Sequence, residues 1–211
     1  GPQASIDTLG APSISQPANN FLTTSYSGNP SFSLQVVYSL VGGSPGSGTS
    51  DLSEQIKIQN LTGAPLDFHF FQYADFVAGP GGDQVQLGKN LHGLYNQALV
   101  TSGNMTINEK LDTALSPGAN EGEAAGYDST LLNLNNVPGY TLNDNNVSGP
   151  PGTNTWSFEW DKSIAPGGSL IISKDLNISG VAPVPEPGTL SIAGLGLAAV
   201  GVARAYRRRR S

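Results

Sequence analysis

The sequence predicts an all-β protein: an antiparallel β-sandwich followed by a short C-terminal hydrophobic helix. Three observations carry this reading. Large apolar side chains recur at every second position along much of the first 180 residues. Gly and Pro, 27 and 15 of the 211 residues, punctuate those runs. Near the C-terminus, one uncharged run is followed by four consecutive arginines.

The strands follow in order. Phe32, Leu34, Val36, Tyr38 and Leu40 form a row at strict period 2, which strand geometry points to one face. Leu52, Ile56 and Ile58 continue with the same period, and so do Leu66, Phe68 and Phe70. Residues 60–65 (NLTGAP) read as a turn between these two runs, which predicts a hairpin. Leu91, Leu94, Tyr95, Ala98 and Leu99 match a helical stripe that Gly93 interrupts, so this segment stays open between helix and strand. Met105, Ile107 and Leu111 alternate with Thr106, Asn108, Lys110 and Asp112. Trp156, Phe158 and Trp160 alternate with Ser157, Glu159 and Asp161, and Leu170, Ile172, Leu176 and Ile178 close the series. Ala165-Pro166-Gly167-Gly168 supplies the proline and following glycine of a type II turn between the last two strands. Residues 113–154, rich in Gly, Asn and Pro, are expected to be loop over one edge or end of the sheets. One short helix fits at 128–134, with Asp128 as its cap. Seven to nine strands separated by turn signals in about 180 residues favour a sandwich.

Composition excludes several chemistries. The absence of Cys removes disulfides, Cys-ligated zinc and thiol catalysis, and two His are too few for a His-rich metal site. Charge is sparse, 12% of residues against about 25% in an average domain. It is also segregated. Residues 1–185 hold 15 acids against Lys57, Lys89, Lys110, Lys162 and Lys174, a net of −10. Residues 186–211 hold Glu186 against Arg204, Arg207, Arg208, Arg209 and Arg210, a net of +4. A body so acidic repels phosphate backbones, so no nucleic-acid partner is expected.

The tail reads PVPEPGTLSIAGLGLAAVGVARAYRRRRS from residue 183. Val184, Pro185, Glu186 and Pro187 form a stiff, extended segment, because each proline fixes its own φ and restricts the residue before it. Leu190 to Ala203 are uncharged, enough for a helix of roughly 21 Å, short of the ~20 residues of a typical span. Arg207, Arg208, Arg209 and Arg210 form a basic stop that the positive-inside rule keeps in the cytoplasm.

The order of these parts closely resembles the PEP-CTERM sorting signal of Gram-negative bacteria. The resemblance covers residues 183–211 and rests on three elements in the right order. It implies processing near Pro185-Glu186-Pro187 by exosortase, a membrane-embedded transpeptidase-like enzyme, and an association with exopolysaccharide production. Export requires an N-terminal signal peptide. The chain opens Gly-Pro-Gln-Ala-Ser with no basic or apolar leader, so the leader is expected to have been removed or left out. Residues 51–76 and 155–175 are also similar to body domains of PEP-CTERM proteins, which carry no assigned activity.

Candidate chemistry in the body is thin. His69 shares a strand face with Asp67, with Asp75 nearby, but no second His has ligand spacing and His92 lies in an unrelated segment. These residues read as a half-exposed strand, and no metal site or cofactor is expected. The pairs Glu121/Glu123 and Glu159/Asp161 suggest a glycosidase's two carboxyls. Glu159 and Asp161 alternate with an apolar row and therefore read as a solvated face, so no catalytic residue is assigned. Asn143-Asp144-Asn145-Asn146 is oxygen-rich but lacks the spacing of a calcium loop, and Asx-turn chemistry explains it. Trp156 and Trp160 would make a sugar-stacking platform if exposed and a core row if buried, the latter being favoured. Asn60, Asn104, Asn146 and Asn177 head glycosylation sequons.

The sequence thus predicts a β-sandwich body at 1–180, a Pro-rich linker at 181–188, a transmembrane helix at 189–206 and a basic cytoplasmic tail at 207–211. The expected function is that of a non-enzymatic exported protein. It is held transiently in the inner membrane, then sorted by exosortase to the cell surface or exopolysaccharide matrix in a structural or adhesive role. A carbohydrate-binding module using the Trp row is the alternative, and a polysaccharide hydrolase a more distant one.

Overall fold

A computed structural model describes residues 4–79, 81–111 and 118–180. The linker, transmembrane helix and basic tail expected after residue 180 lie outside the described residues, as does Asp112. The elements are a 3₁₀ turn at Ile6–Leu9, then strands β1 (Ser13–Ala18), β2 (Phe21–Tyr26), β3 (Phe32–Gly42), β4 (Thr49–Asn60), β5 (Leu66–Ala74), β6 (Gln84–Lys89), β7 (Tyr95–Ser102), β8 (Met105–Lys110) and β9 (Glu121–Gly126). Helix α1 (Ser129–Asn136) precedes β10 (Asn154–Ile164) and β11 (Ser169–Ser179). The described chain is all-β apart from α1 and the 3₁₀ turn, with two antiparallel sheets of unequal size. Eight strands run in the order β1-β2-β3-β4-β11-β8-β7-β6, and three in the order β5-β10-β9.

The period-2 rows become the core between these sheets. Leu34 and Val36 of β3, Ile56 and Ile58 of β4, Leu170 and Ile172 of β11 and Val100 of β7 are buried in one cluster with Trp156, Phe158 and Trp160 of β10. The Trp156, Phe158 and Trp160 side chains are wholly enclosed. Full burial of side chains that large contributes about 2–3 kcal/mol each in area terms. It also removes the sugar-platform reading, because neither Trp156 nor Trp160 presents a face to solvent.

One local expectation is overturned, one open reading is decided and one is extended. First, β4 and β5 are not a hairpin: β4 pairs with β3 and β11, while β5 pairs with β10 in the other sheet. Residues 61–65 therefore cross between sheets, and so does the turn from β10 to β11. In that second turn Gly168 N donates to Ala165 O (2.8 Å) and Gly167 takes φ +68°, as a type II turn requires. The Asn60 side chain ties the two crossings together. Its Nδ2 donates to Ala64 O (2.8 Å), Ile164 O (2.9 Å) and Ala165 O (3.2 Å), and its Oδ1 accepts from Thr62 N (2.8 Å). Asn60 is fully buried, which closes that sequon in the folded chain.

Second, residues 95–102 are a strand. Lys89 pairs with Tyr95 and Gly88 with Gln97, so Asn96 is an extra residue in a bulge. The bulge lets Tyr95 and Ala98 both face the core, at the three-residue spacing that imitates a helical stripe. Third, residues 113–154 contain β9 and α1 within the expected excursion. Asp128 stands before α1 as predicted but makes no side-chain cap hydrogen bond, because its own φ of 62° is left-handed and not the extended cap conformation.

Candidate functional site

Register fixes what each face of the small sheet carries. Trp156, Phe158 and Trp160 of β10 pair with Ala74, Gln72 and Phe70 of β5, and these point inward. The opposite phase points outward: His69 opposite Asp161, Phe71 opposite Glu159, and across β10 Glu121 opposite Glu159 and Glu123 opposite Ser157. Carboxylates directly opposed across a sheet repel and require donors.

The segment after β9 supplies them. Glu123 accepts from Thr130 Oγ1 (2.6 Å), Tyr140 OH (2.7 Å) and Asn143 N (3.1 Å). Glu159 Oε2 accepts from Thr141 Oγ1 (2.9 Å) and Leu142 N (2.9 Å), and the Thr141 hydroxyl also contacts Glu121. The excursion is thereby fastened over the sheet by the acids, and Glu123 and Glu159 are buried. The solvated-face expectation is corrected for Glu159, because α1 and the chain that follows it cover that position. Burial pushes the Glu159 carboxyl up to about 7, with the charges of Asp161 and Glu121 adding to the rise and the two donors opposing it.

His69 meets neither Asp67 nor Asp75. Its Nδ1 contacts Asp161 Oδ1 and lies 3.9 Å from Glu159 Oε1. His92 is in the turn before β7, where its backbone N–H bonds Asn90 Oδ1 (2.9 Å). A cavity of about 960 Å³ along edge strand β5 is lined on this side by His69, Tyr140, Thr141, Glu159 and Asp161. The Asn-rich loop uses its oxygens internally: Asn143 Oδ1 accepts from Asn145 N (3.0 Å), and Asn146 Oδ1 accepts from Tyr95 OH.

The inner face holds a second polar group, whose charged members Glu54, Glu109 and Lys174 the period-2 rows skip over. Tyr38, Glu54 and Lys174 are cross-strand neighbours on β3, β4 and β11, and Glu109 of β8 pairs with Leu176 beside Lys174. Lys174 Nζ lies 2.6 Å from Glu54 Oε2 and 3.2 Å from Glu109 Oε1. From the small sheet, Gln72 Nε2 donates to Glu109 Oε1 (2.8 Å) and Trp156 Nε1 donates to Glu109 Oε2. Glu109 is 1% exposed and Lys174 7%. Burial acts to lower the Lys174 pKa, but the charges of Glu109 and Glu54 outweigh it and raise it. Burial first, then the Glu54 charge, pushes the Tyr38 hydroxyl up to about 12. A cavity of about 410 Å³ adjoins this group, lined also by Asp75 and Phe76. The signal is present in the sequence: Glu54, Gln72, Glu109 and Lys174 each occupy the apolar phase of their strand.

No curated protein matches the chain. Among solved structures it is similar to a candidate aldose 1-epimerase from Escherichia coli K12, at 10% identity and a TM-score of 0.48, covering 82% of this chain and 69% of that one. The tail gives the specific match: residues 183–210 fit the family model for the PEP-CTERM protein-sorting motif. Among the described residues, which end before that motif, no helix is long and apolar enough to cross a membrane. Residues 183–210 are a PEP-CTERM protein-sorting motif, which implies exosortase as the processing partner and export to the cell envelope or surface.

Proposed function

We propose that the chain is an exported surface or exopolysaccharide-matrix protein with a structural or adhesive body, released from its tail by exosortase. The carrying observation is where the motif begins. The last described strand, β11, is paired with β4 from Ser169 to Ser179, and the sorting motif starts at residue 183. Cleavage within the motif leaves every described strand whole. A non-enzymatic role is supported by how the body uses its acids: Glu123 and Glu159 hold the excursion and Glu109 holds Lys174. The sugar-binding alternative has lost its Trp platform.

The test is the mature C-terminus, read by mass spectrometry of surface-extracted protein from cells with and without exosortase. The mature chain should end near residues 184–188 and lack the arginines. Glu186→Ala, or Pro185→Ala with Pro187→Ala, should leave full-length protein in the inner membrane. Intact Arg210 at the surface of cells with working exosortase would reduce the tail to an ordinary anchor.

A further inference from the structure

We propose that His69, Glu159 and Asp161 form a binding site for one divalent transition-metal ion, with zinc as the reference ion. The three side chains come from neighbouring strands, with His69 directly opposite Asp161 and Glu159 opposite the residue two beyond His69. One ligand atom from each lies within 4.8 Å of the others. A tetrahedral ion with bonds of about 2.0–2.1 Å holds its ligand atoms ~3.3 Å apart. His69 Nδ1 is slightly too far from Glu159 Oε1, at 3.9 Å, and too near Asp161 Oδ1. One rotation of the imidazole changes both distances. The ring is free to make it, since the His69 side chain is 62% exposed.

The buried end of the site is already aimed. Glu159 is 1% exposed, and its donors Thr141 Oγ1 and Leu142 N both fall on Oε2. Oε1 is left facing His69. Asp161 Oδ1 is itself buried without a hydrogen-bond partner, and touches the imidazole. Two carboxylate oxygens converging on one corner of the fold favour a cation there. No lysine pairs with either carboxylate among the described residues; Lys89 pairs with Asp144 and Lys174 with Glu54 and Glu109. An imidazole beside two carboxylates selects zinc-like ions over calcium or magnesium. Bonds that fix the far oxygen of a ligating carboxylate are how metal sites orient their ligands, which makes Thr141 a positioning residue. The large cavity beside β5 gives the ion a way in.

The test uses the full chain, stripped with a chelator, then titrated with ZnCl₂ by calorimetry and followed by thermal unfolding. One equivalent of Zn²⁺ should bind and raise Tm by several degrees, since an ion that binds only the folded state stabilises it. His69→Ala should weaken binding roughly 100-fold or more, and Thr141→Val about 10–100-fold. His69 is exposed, so His69→Ala should leave the metal-free Tm within about 2 °C. Co²⁺ in place of Zn²⁺ should give visible ligand-field bands that His69→Ala abolishes and His92→Ala does not. No binding in excess Zn²⁺ overturns the proposal. So does binding that survives His69→Ala combined with Asp161→Asn.

Discussion

Glu109 and Lys174 stand on neighbouring strands, β8 and β11, with Oε1 3.2 Å from Nζ and both side chains closed off from bulk water. A charge pair in that setting is worth little against an apolar pair of equal volume, but removing one partner strands the other. Lys174→Met should therefore destabilise the fold by about 3–5 kcal/mol, since Glu109 and Glu54 both lose their cation. Lys174→Met combined with Glu109→Gln should cost clearly less than the sum of the two single changes. Denaturant titration of the four chains measures this directly. Additive losses would show that the contact carries no coupling.

The same group sets an alkaline limit. Tyr38 is raised to about 12 and Lys174 is raised above its ordinary value, so both bind their protons more tightly folded than unfolded. Their contribution is fully present below about pH 10, the unfolded values. It is lost as pH climbs through the folded ones. Unfolding free energy should stay level from about pH 8 to about 9.5 and then fall. Tyr38→Phe should make that fall shallower, as measured by urea unfolding across the range. Stability that rises above about pH 10 would contradict the arrangement.

Asn60 spends its whole amide on the two crossings between sheets. Asn60→Ala removes the side-chain donor from the Ile164 carbonyl, while Ala165 O keeps its bond from Gly168 N, and should cost about 2–3 kcal/mol. Asn60→Asp replaces the donor with a buried acceptor and should be worse at neutral pH than near about pH 4, where the carboxyl takes up its proton. Thermal unfolding at both pH values separates the two variants. An unchanged Tm for Asn60→Ala would mean that the corner is held by backbone alone.

Truncation after Gly180 keeps both strands that pair with β11, along its whole length to Ser179. The shortened chain should keep β-type circular dichroism and a single cooperative unfolding transition. Loss of either would assign the tail a part in the fold.

Much of this fold is legible in the chain itself. Phe32 to Leu40 and Trp156 to Trp160 announce strands because period 2 is a direct consequence of the pleat. Period 2 tells which side chains share a face, but not which strand lies alongside. For that reason the turn at 61–65 reads as a hairpin although it is a crossing. Asn60 holds the clue, since it continues the apolar phase of Ile56 and Ile58. The outer acids pose a different problem. Alternation places Glu159 opposite the core face correctly, but whether that face meets water depends on residues 129–147, which have no period to read. The approach of His69 to Asp161 depends on a pairing between strands far apart in the chain, and no local pattern encodes it.

The position of β11 has a further consequence for when the protein can fold. It is the last of the described strands to be synthesised, yet it lies inside the large sheet, hydrogen-bonded to β4 on one side and β8 on the other. Until Ser179 has emerged, β4 carries an open edge and the sheet is two separate ribbons, β1-β2-β3-β4 and β8-β7-β6. Pairings this distant in sequence form slowly, and open edges invite association with other chains. Closure therefore awaits the stretch of chain just ahead of the sorting motif. A chain cut short anywhere before residue 169 would lack β11 and leave the facing edges of β4 and β8 unpaired.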